Sequence, residues 1–467
     1  MMLAREGDPN ALNVPTPRTY CEAVSGKWAS QWIASMESEM ASWGSTGTSV
    51  DAVPPPGANV WHVALQAQRD YKLHSLDFYT AFLQGSLHKE IWLRRPPGFN
   101  STFPPGTQWS LRRPVYGLRQ APCEWHDTLR TILAALGFCP SSADPSLFAH
   151  SGPTLFFVLV FVDDLVFATA DRVALAEVKS ELQKRHTCTE LGELRRYLGS
   201  KITRDRVART ITFTQSQMVQ QDLLWFGLQH STTHPTPLAV DHGLTGPFPN
   251  EPFESSGPYA ELVGYLMYLM TCTRPDLAFP FSVLFYFVAT GRHCHVHRSA
   301  AVRVAKYLAT TSGMGLCAWR ETATVSWRSI RSSSVASCSA EADIYNGDMA
   351  AQELRWLTFL LTDLGERPSC ALTLFADNKA MILLCREPRL ESRVKHIDVR
   401  YFLLRELRRR SQAHLDFVEL KANTADIFTK ALLPSDHHKF CLQLGLVDVG
   451  PQLLYSGFLF LTVITRI

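Results

Sequence analysis

Hydrophobic positions between about residues 61 and 240 alternate between helical and strand patterns. One set of apolar residues at helical spacing stops at Gly137, which predicts a helix that ends there. Its members are Trp125, Leu129, Ile132, Leu133 and Leu136. Residues 155–161 form a continuous apolar run, followed by Asp163 and Asp164 and then by a second apolar stretch at 165–167. This pattern predicts two buried strands with an acidic pair at the bend between them.

The second half of the chain has a different pattern. Residues 231–258 are dense in Pro, Gly, Ser and Thr, which predicts a linker. Residues 259–316 have a helical pattern. Beyond 325 a long helix is expected at about 340–364, a strand at 371–376 that ends at Asp377, then a further helix and a strand at 414–420.

Composition restricts the class of protein. The 467 residues are 46% hydrophobic, so a mostly disordered chain is excluded and two to four domains are expected. With 46 basic and 43 acidic residues, a net charge of +3 is too mild to indicate nucleic-acid binding by itself. The 11 cysteines form no CxxC pair, and there is no signal peptide or membrane-spanning apolar stretch. We therefore expect an intracellular protein of several domains that has no membrane partner.

The acidic pair is a candidate for a chemical role. Placing Asp163 and Asp164 beside an apolar strand costs several kcal/mol unless a cation compensates. A third carboxylate, Asp77, also has apolar neighbours. Three convergent carboxylates would suit two Mg²⁺ ions, which prefer oxygen ligands and can promote phosphoryl transfer. The alternative is that Asp163 and Asp164 are only the turn residues of a hairpin, and these residues alone favour both interpretations equally.

Sequence blocks along most of the chain resemble the polymerase region of copia-type (pseudoviral) retrotransposons. The blocks that resemble the polymerase are LDFYTAFLQGSLHKEIWLRRPPGF, VYGLRQAPCEW, FVDD and LGELRRYLG. Those that resemble the connecting region are ELVGYLMYLMTCTRPDLAF and HRSAAVRVAKYL. Those that resemble the attached ribonuclease H domain are SSSVASCSAEAD, LFADNKAMILL, RVKHIDVRYFLLRE and NTADIFTKAL. Because the blocks follow the family order from about residue 32 to 445, the chain resembles a fragment of such a Pol polyprotein.

The resemblance implies an α+β fold with a reverse-transcriptase palm and thumb, a connecting helical region and a truncated ribonuclease H-like domain. It divides the chain into an N-terminal flanking segment (1–60), palm and thumb (61–240), linker and helical connection (241–316), ribonuclease H-like domain (317–445) and C-terminal tail (446–467).

The resemblance also implies a set of site residues. Asp77, Asp163 and Asp164 would be the catalytic carboxylates that bind two Mg²⁺ ions, with Mn²⁺ as a possible substitute. Phe82 would lie below the sugar of the incoming nucleotide, although an ordinary core phenylalanine is an equally good interpretation. The nucleotide pocket would also include Gln120 and Pro122. Two departures from the family pattern are Phe161, where Tyr is usual, and Cys123, where a basic residue is common.

Two family features are missing from the sequence. A basic hairpin that grips the incoming triphosphate should precede Asp77, yet the residues just after 61 lead almost directly to it. Of the four ribonuclease H carboxylates, Glu341, Asp377 and Asp426 match three, and no aspartate occupies the position of the first between residues 316 and 327. Without the basic hairpin, we expect weak nucleotide binding. We also expect an inactive nuclease, because a two-metal site that lacks a central carboxylate loses an anchor for one ion.

The function expected from the resemblance is an RNA-directed DNA polymerase with a degenerate ribonuclease H domain. Its partners would be an RNA or DNA template with a primer and deoxynucleoside triphosphates, and it would act in a cytoplasmic particle or in the nucleus. One alternative is a catalytically inactive remnant that at most binds nucleic acid. Another is a different two-metal phosphoryl-transfer enzyme that shares only the acidic cleft.

Overall fold

The computed structural model describes residues 70–94, 108–150, 152, 154–229, 231–244, 259–319, 324–329, 339–365, 371–386 and 403–448. The predicted flanking segment, the residues just before Asp70 where the basic hairpin would be expected, and the tail beyond 448 lie outside these ranges. The strands are β1 (Lys72–Phe78), β2 (Trp92–Arg94), β3 (Gln108–Ser110), β4 (Phe138–Pro140), β5 (Leu147–His150), β6 (Phe156–Phe161), β7 (Asp164–Thr169), β8 (Cys188–Glu193), β9 (Arg196–Tyr197), β10 (Ser200–Asp205), β11 (Thr210–Thr214), β12 (Met314–Trp319), β13 (Leu372–Ala376), β14 (Ala413–Phe417) and β15 (Leu446–Asp448).

Helices occur both between these strands and in a separate group. The α-helices are α1 (Ala121–Ala135), α2 (Arg172–Arg185), α3 (Ser216–Trp225), α4 (Tyr259–Cys272), α5 (Ala278–Thr290), α6 (His295–Thr310), α7 (Ser339–Asp363), α8 (Lys379–Arg386), α9 (Leu403–Arg409) and α10 (Pro434–Gln443). The mixture of helix and sheet agrees with the expected α+β class. The helix predicted before Gly137 is confirmed as α1, and the long helix predicted at 340–364 is confirmed as α7.

The first sheet has six strands in the order β4-β5-β6-β7-β1-β8. The prediction of two buried strands around the acidic pair is confirmed, since β6 and β7 are antiparallel partners that are buried except at the turn. Helices α1 and α2 cover one face, where Trp125, Leu129 and Leu182 join the core of the sheet. The apolar spacing of α1 thus places one face of the helix against the sheet that carries the acids.

The second sheet joins strands that are far apart in sequence. Its order is β15-β12-β11-β10-β9, so β12 pairs with β11 across about 100 residues and β15 pairs with β12. This sheet crosses the boundaries expected at 316/317 and at 445/446. Residues 314–319, at the expected start of the ribonuclease H-like region, therefore form hydrogen bonds with a strand of the polymerase region.

The remaining elements form two further groups. Helices α3 to α6 pack around a core of their own, which includes Leu223, Leu266 and Val304. Strands β13 and β14 form a parallel pair, with α7, α8 and α9 packed around them. Helix α7 also contributes Leu357 and Leu360 to the core that contains the rear face of the six-stranded sheet.

Candidate active site

The three predicted catalytic carboxylates lie at one end of adjacent strands. Asp77 in β1 is the direct antiparallel partner of Asp164 in β7, so both side chains point to the same face of the sheet. Asp163 lies in the two-residue turn between β6 and β7, and its carbonyl oxygen accepts a 2.9 Å hydrogen bond from the Phe78 amide. All three residues are half-buried. Strand register therefore pairs Asp77 with an acid that lies 87 positions later in the sequence.

The charge at this site favours a bound cation. Burial raises the pKa of Asp77, because removing a carboxylate from water disfavours its charged form. Burial raises the pKa of Tyr197 in β9, and the negative charges of Asp164 and Asp144 raise it further. The three acids supply only oxygen ligands, which is the donor type that Mg²⁺ and Mn²⁺ prefer. The residues present therefore fit the predicted metal.

The turn that carries Asp163 has an unusual backbone conformation and two supporting side chains. Val162 has φ of 51°, which is rare for a β-branched residue. Its carbonyl oxygen accepts a 2.7 Å hydrogen bond from Nε1 of Trp125 in α1. The Tyr116 hydroxyl donates a 2.9 Å hydrogen bond to Oδ2 of Asp163. From the sequence, Trp125 was predicted only to lie on the apolar face of a helix and Tyr116 had no predicted role, although both lie in the block VYGLRQAPCEW.

One of the predicted nucleotide-pocket residues, Phe82, is linked to this turn through Tyr116. Phe82 belongs to the 3₁₀ helix Ala81–Gln84, is only 1% exposed and packs against Tyr116 with a centroid distance of 4.4 Å. Gln120 is the N-cap residue of α1, and Pro122 lies in the first turn of that helix; both are half-buried. Phe82 is thus part of the core here, whereas Tyr116 is the half-buried aromatic residue between it and Asp163.

A basic cleft of about 420 Å³ lies along β9 and β10, next to the six-stranded sheet. Its lining includes one acidic side chain, Glu193, and four cationic side chains: Arg195, Arg196, Lys201 and Arg204. Arg204 is held in place by Asp70, at 3.1 Å, and by the carbonyl oxygen of Tyr71. The cleft is thus a local basic patch, which the mild net charge of the whole chain did not indicate.

The predicted nuclease acids are positioned by three separate elements. Asp377 follows β13, Asp426 lies in the 3₁₀ helix Thr424–Phe428, and Glu341 is in the first turn of α7. Burial raises the pKa of Asp426, and the nearby charge of Asp377 raises it further. Lys430 opposes this effect with an ion pair of 2.7 Å to Asp426. The structure therefore brings Asp377 and Asp426 together, with a lysine already paired to one of them.

The acid of α7 that faces Asp377 is Asp343, which the sequence interpretation did not select. Burial and the charge of Asp377 raise the pKa of Asp343, and Asn378 donates a 2.6 Å hydrogen bond to its carboxylate. Glu341 precedes it by two residues and therefore points about 200° away around the helix. The Glu341 side chain is 4% exposed and accepts a hydrogen bond from Tyr345. The sequence SAEAD contains both acids, but only the orientation of the helix distinguishes them.

One further cluster contains residue types that bind metals. Asp276, His437 and Cys441 are buried with their donor atoms within 4.8 Å of one another. Asp276, however, already has a buried ion pair of 2.7 Å with Arg274 and accepts a hydrogen bond from Tyr307. The carboxylate is thus neutralised by a side chain, and the cluster is a polar connection between the helical group and α10.

Comparison with known proteins places the chain in a family. A profile described as reverse transcriptase (RNA-dependent DNA polymerase) matches residues 60–240. A protein assigned to transposon Ty5-1 of Saccharomyces cerevisiae is 30% identical over 247 residues, which cover 52% of this chain and 77% of that protein. The chain therefore belongs to the reverse transcriptase family.

The longer relatives identify the branch of that family. The retrovirus-related Pol polyprotein from transposon TNT 1-94 of Nicotiana tabacum is 28% identical over 420 residues, or 82% of this chain. The Pol polyprotein from transposon RE2 of Arabidopsis thaliana is 29% identical over 429 residues, or 84% of this chain. The resemblance to Pol proteins of copia-type transposons is thus confirmed. The chain spans only 31% and 29% of the length of these two polyproteins.

Among the helices of the residues that the structure describes, none is both long and apolar enough to cross a lipid bilayer.

Proposed function

We propose that this chain is an RNA-directed DNA polymerase whose catalytic carboxylates are Asp77, Asp163 and Asp164. The observation that supports this most directly is the pairing of Asp77 with Asp164 across β1 and β7, next to Asp163 in the turn. Two Mg²⁺ ions, when bound, activate the primer 3′-hydroxyl and stabilise charge on the α-phosphate. The carboxylates would hold these ions, and the sheet would keep the three side chains in a fixed arrangement.

The substrates proposed are a primed RNA or DNA template and deoxynucleoside triphosphates. The basic cleft lined by Arg195, Arg196, Lys201 and Arg204 supports the first, because cationic side chains supply much of the affinity for a phosphate backbone. Gln120 and Pro122, at the start of α1, would border the nucleotide. Phe82 would act there through Tyr116, since its own side chain is buried.

Primer extension on a primed RNA template tests the polymerase proposal. The purified chain should extend the primer with Mg²⁺ or Mn²⁺, whereas Asp163→Asn should not. Asp127→Asn is the matched control, because Asp127 is half-exposed on α1 and its ion pair with Arg130 lies on the surface. Equal extension by the wild type and Asp163→Asn would refute the site assignment.

A catalytically inactive remnant that binds nucleic acid is the second candidate. The lack of a basic hairpin sequence before Asp77 favours it, because the triphosphate would then lose much of its binding energy. Fluorescence anisotropy with a primer–template duplex distinguishes the two candidates. Duplex binding without extension in either metal would favour the remnant.

For the C-terminal region, we propose a ribonuclease H-like remnant without nuclease activity. The acids that would remain are Asp343, Asp377 and Asp426, with Asp343 in place of the predicted Glu341. Lys430 forms an ion pair with Asp426. The first carboxylate was expected near β12, and this strand pairs with β11 of the five-stranded sheet. Degradation of the RNA strand of a labelled RNA–DNA hybrid, lost in Asp377→Asn, would contradict this proposal.

A further inference from the structure

The turn between β6 and β7 has a conformation that its sequence does not favour. Only two residues, Val162 and Asp163, connect the paired positions Phe161 and Asp164. In such a turn, positive φ at the first position is normally provided by glycine. A residue with a β-carbon is strained in this region, and such strain persists only where the surroundings hold it. Val162, with φ of 51°, therefore needs support from other parts of the molecule.

The first support comes from α1. Trp125 is 1% exposed, so its indole is fixed by the core rather than by solvent. Its Nε1 donates the 2.7 Å hydrogen bond to the Val162 carbonyl oxygen, and its ring contacts Phe78 edge-on at 5.0 Å. The Phe78 amide in turn donates a hydrogen bond to the carbonyl oxygen of Asp163. The strained peptide is thus tied to the helix on one side and to β1 on the other.

The second support acts on the carboxylate itself. The Tyr116 hydroxyl donates to Oδ2 of Asp163 at 2.9 Å, while its ring rests on the buried ring of Phe82. A carboxylate has lone pairs on both oxygens, so one hydrogen bond can fix its orientation without preventing it from binding a cation. Tyr116 therefore links the predicted nucleotide pocket to a predicted metal ligand.

We propose that Tyr116 and Trp125 are positioning residues that hold the Val162–Asp163 turn in the orientation that binds the metal. The inference rests on the proposed polymerase function. In this role neither side chain needs to contact the metal, because each acts through Asp163 or the peptide before it. Groups that orient metal ligands in this way typically change metal affinity or activity by about 10- to 100-fold when they are removed.

Mn²⁺ binding, measured by electron paramagnetic resonance in the absence of nucleic acid, tests the inference independently of turnover. Wild-type protein should bind Mn²⁺ in a manner that Asp163→Asn abolishes. Tyr116→Phe and Trp125→Phe should each weaken this binding about tenfold and raise the Mg²⁺ concentration for half-maximal extension by a similar factor. Saturating Mg²⁺ should restore most of the extension rate, which a merely destabilised protein would not show.

The controls are aromatic residues on the surface, away from the turn. Tyr286→Phe and Trp225→Phe make the same chemical changes at side chains that are 43% and 65% exposed, and should leave Mn²⁺ binding unchanged. If Trp125→Phe does not fold, Tyr116→Phe decides the matter, because it removes one hydroxyl from a half-buried ring.

The outcomes separate the inference from the proposed function. Wild-type affinity for Mn²⁺ in folded Tyr116→Phe would overturn the inference, as would Mn²⁺ binding that does not depend on Asp163. Weakened Mn²⁺ binding in both variants, in a protein that extends no primer, would support the inference and refute the polymerase proposal.

Discussion

The two groups of acids in this chain are positioned by different kinds of structure. Asp77 and Asp164 are neighbours in a single sheet, and Asp163 lies in the turn that connects two of its strands. Asp377 and Asp426 lie at the end of a strand of a two-stranded sheet and in a short 3₁₀ helix. Backbone hydrogen bonds thus set the first arrangement, whereas tertiary packing sets the second.

The difference shows how much each group depends on the rest of the molecule. The first depends on β1, β6 and β7 in register, with α1 and the preceding segment that carries Tyr116 beside them. The second relies on α7, and the end of α7 is anchored to the other half of the chain. Asp363 accepts hydrogen bonds from the Ser141 hydroxyl at 2.6 Å and the Ser142 amide at 2.8 Å, and Trp356 donates to the Ala143 carbonyl oxygen. The helix on which the second group relies is therefore held by the segment between β4 and β5 of the six-stranded sheet.

The largest expected effect separates the two groups of acids by activity. Asp77→Asn should reduce primer extension by about 100-fold or more, because the metal loses a ligand aligned by the sheet. Asp377→Asn makes the same change in the other group and should leave extension unchanged. Rates from single-turnover extension at fixed Mg²⁺ measure both. A comparable loss in both variants would mean that the two groups are not functionally separate.

The next effect concerns the buried connection between the helical group and α10. Arg274→Met should destabilise the protein by about 3–5 kcal/mol, because Asp276 would remain charged and buried without its partner. Arg206→Met is the control; it breaks the more exposed pair with Asp70 and should cost less than about 1 kcal/mol. Urea denaturation gives both free energies of unfolding. Equal costs would show that the buried pair has no special role.

A smaller effect is expected at the contact between α7 and the loop at residues 141–143. Asp363→Ala should cost about 1–3 kcal/mol, since the Ser142 amide and the Ser141 hydroxyl lose their acceptor. Hydrogen exchange should then increase in β13 and β14 more than in β6 and β7. Glu181→Ala, which removes a surface pair with Lys184 on α2, provides the comparison. Increased exchange confined to β6 and β7 would reverse the proposed dependence.

The smallest effect is the dependence of stability on pH at the first site. Burial raises the pKa of Asp77 in the folded protein, so its charge destabilises the fold at any pH above that value. The penalty disappears as the pH falls through the raised pKa towards the ordinary value. Without metal, Asp77→Asn should therefore stabilise the protein more at pH 8 than at pH 4.

Thermal unfolding in EDTA at these two pH values measures the effect of Asp77→Asn. Asp127→Asn, at a half-exposed carboxylate on α1, should show no such difference. A stabilisation by Asp77→Asn that is the same at pH 4 and pH 8 would show that the charge of Asp77 is not its cause.

Local patterns predicted the elements around the acids, but not every contact between them. The apolar runs identified β6, β7, α1 and α7, because burial imposes a period on each element. The pairing of β12 with β11 could not be predicted this way, since it joins strands about 100 residues apart. The proposal of Asp343 in place of Glu341 rests on the rotation of α7 about its axis, which local sequence patterns do not give. Likewise, Tyr116 and Trp125 become relevant only when the turn conformation is known.

The strand β12 and its partner β15 have a consequence for how the chain acquires its structure. During synthesis on the ribosome, residues 60–240 are complete before β12 and β15 have been made. Strand β11 therefore has no β12 partner until residues 314–319 have been added. Closing so long a loop is entropically costly, and contacts of this range slow folding. Until then, one side of β11 has unpaired amide and carbonyl groups that can pair with another nascent chain. A polypeptide truncated after residue 240 would keep that open edge permanently, so expression of the polymerase region should retain residues up to 448.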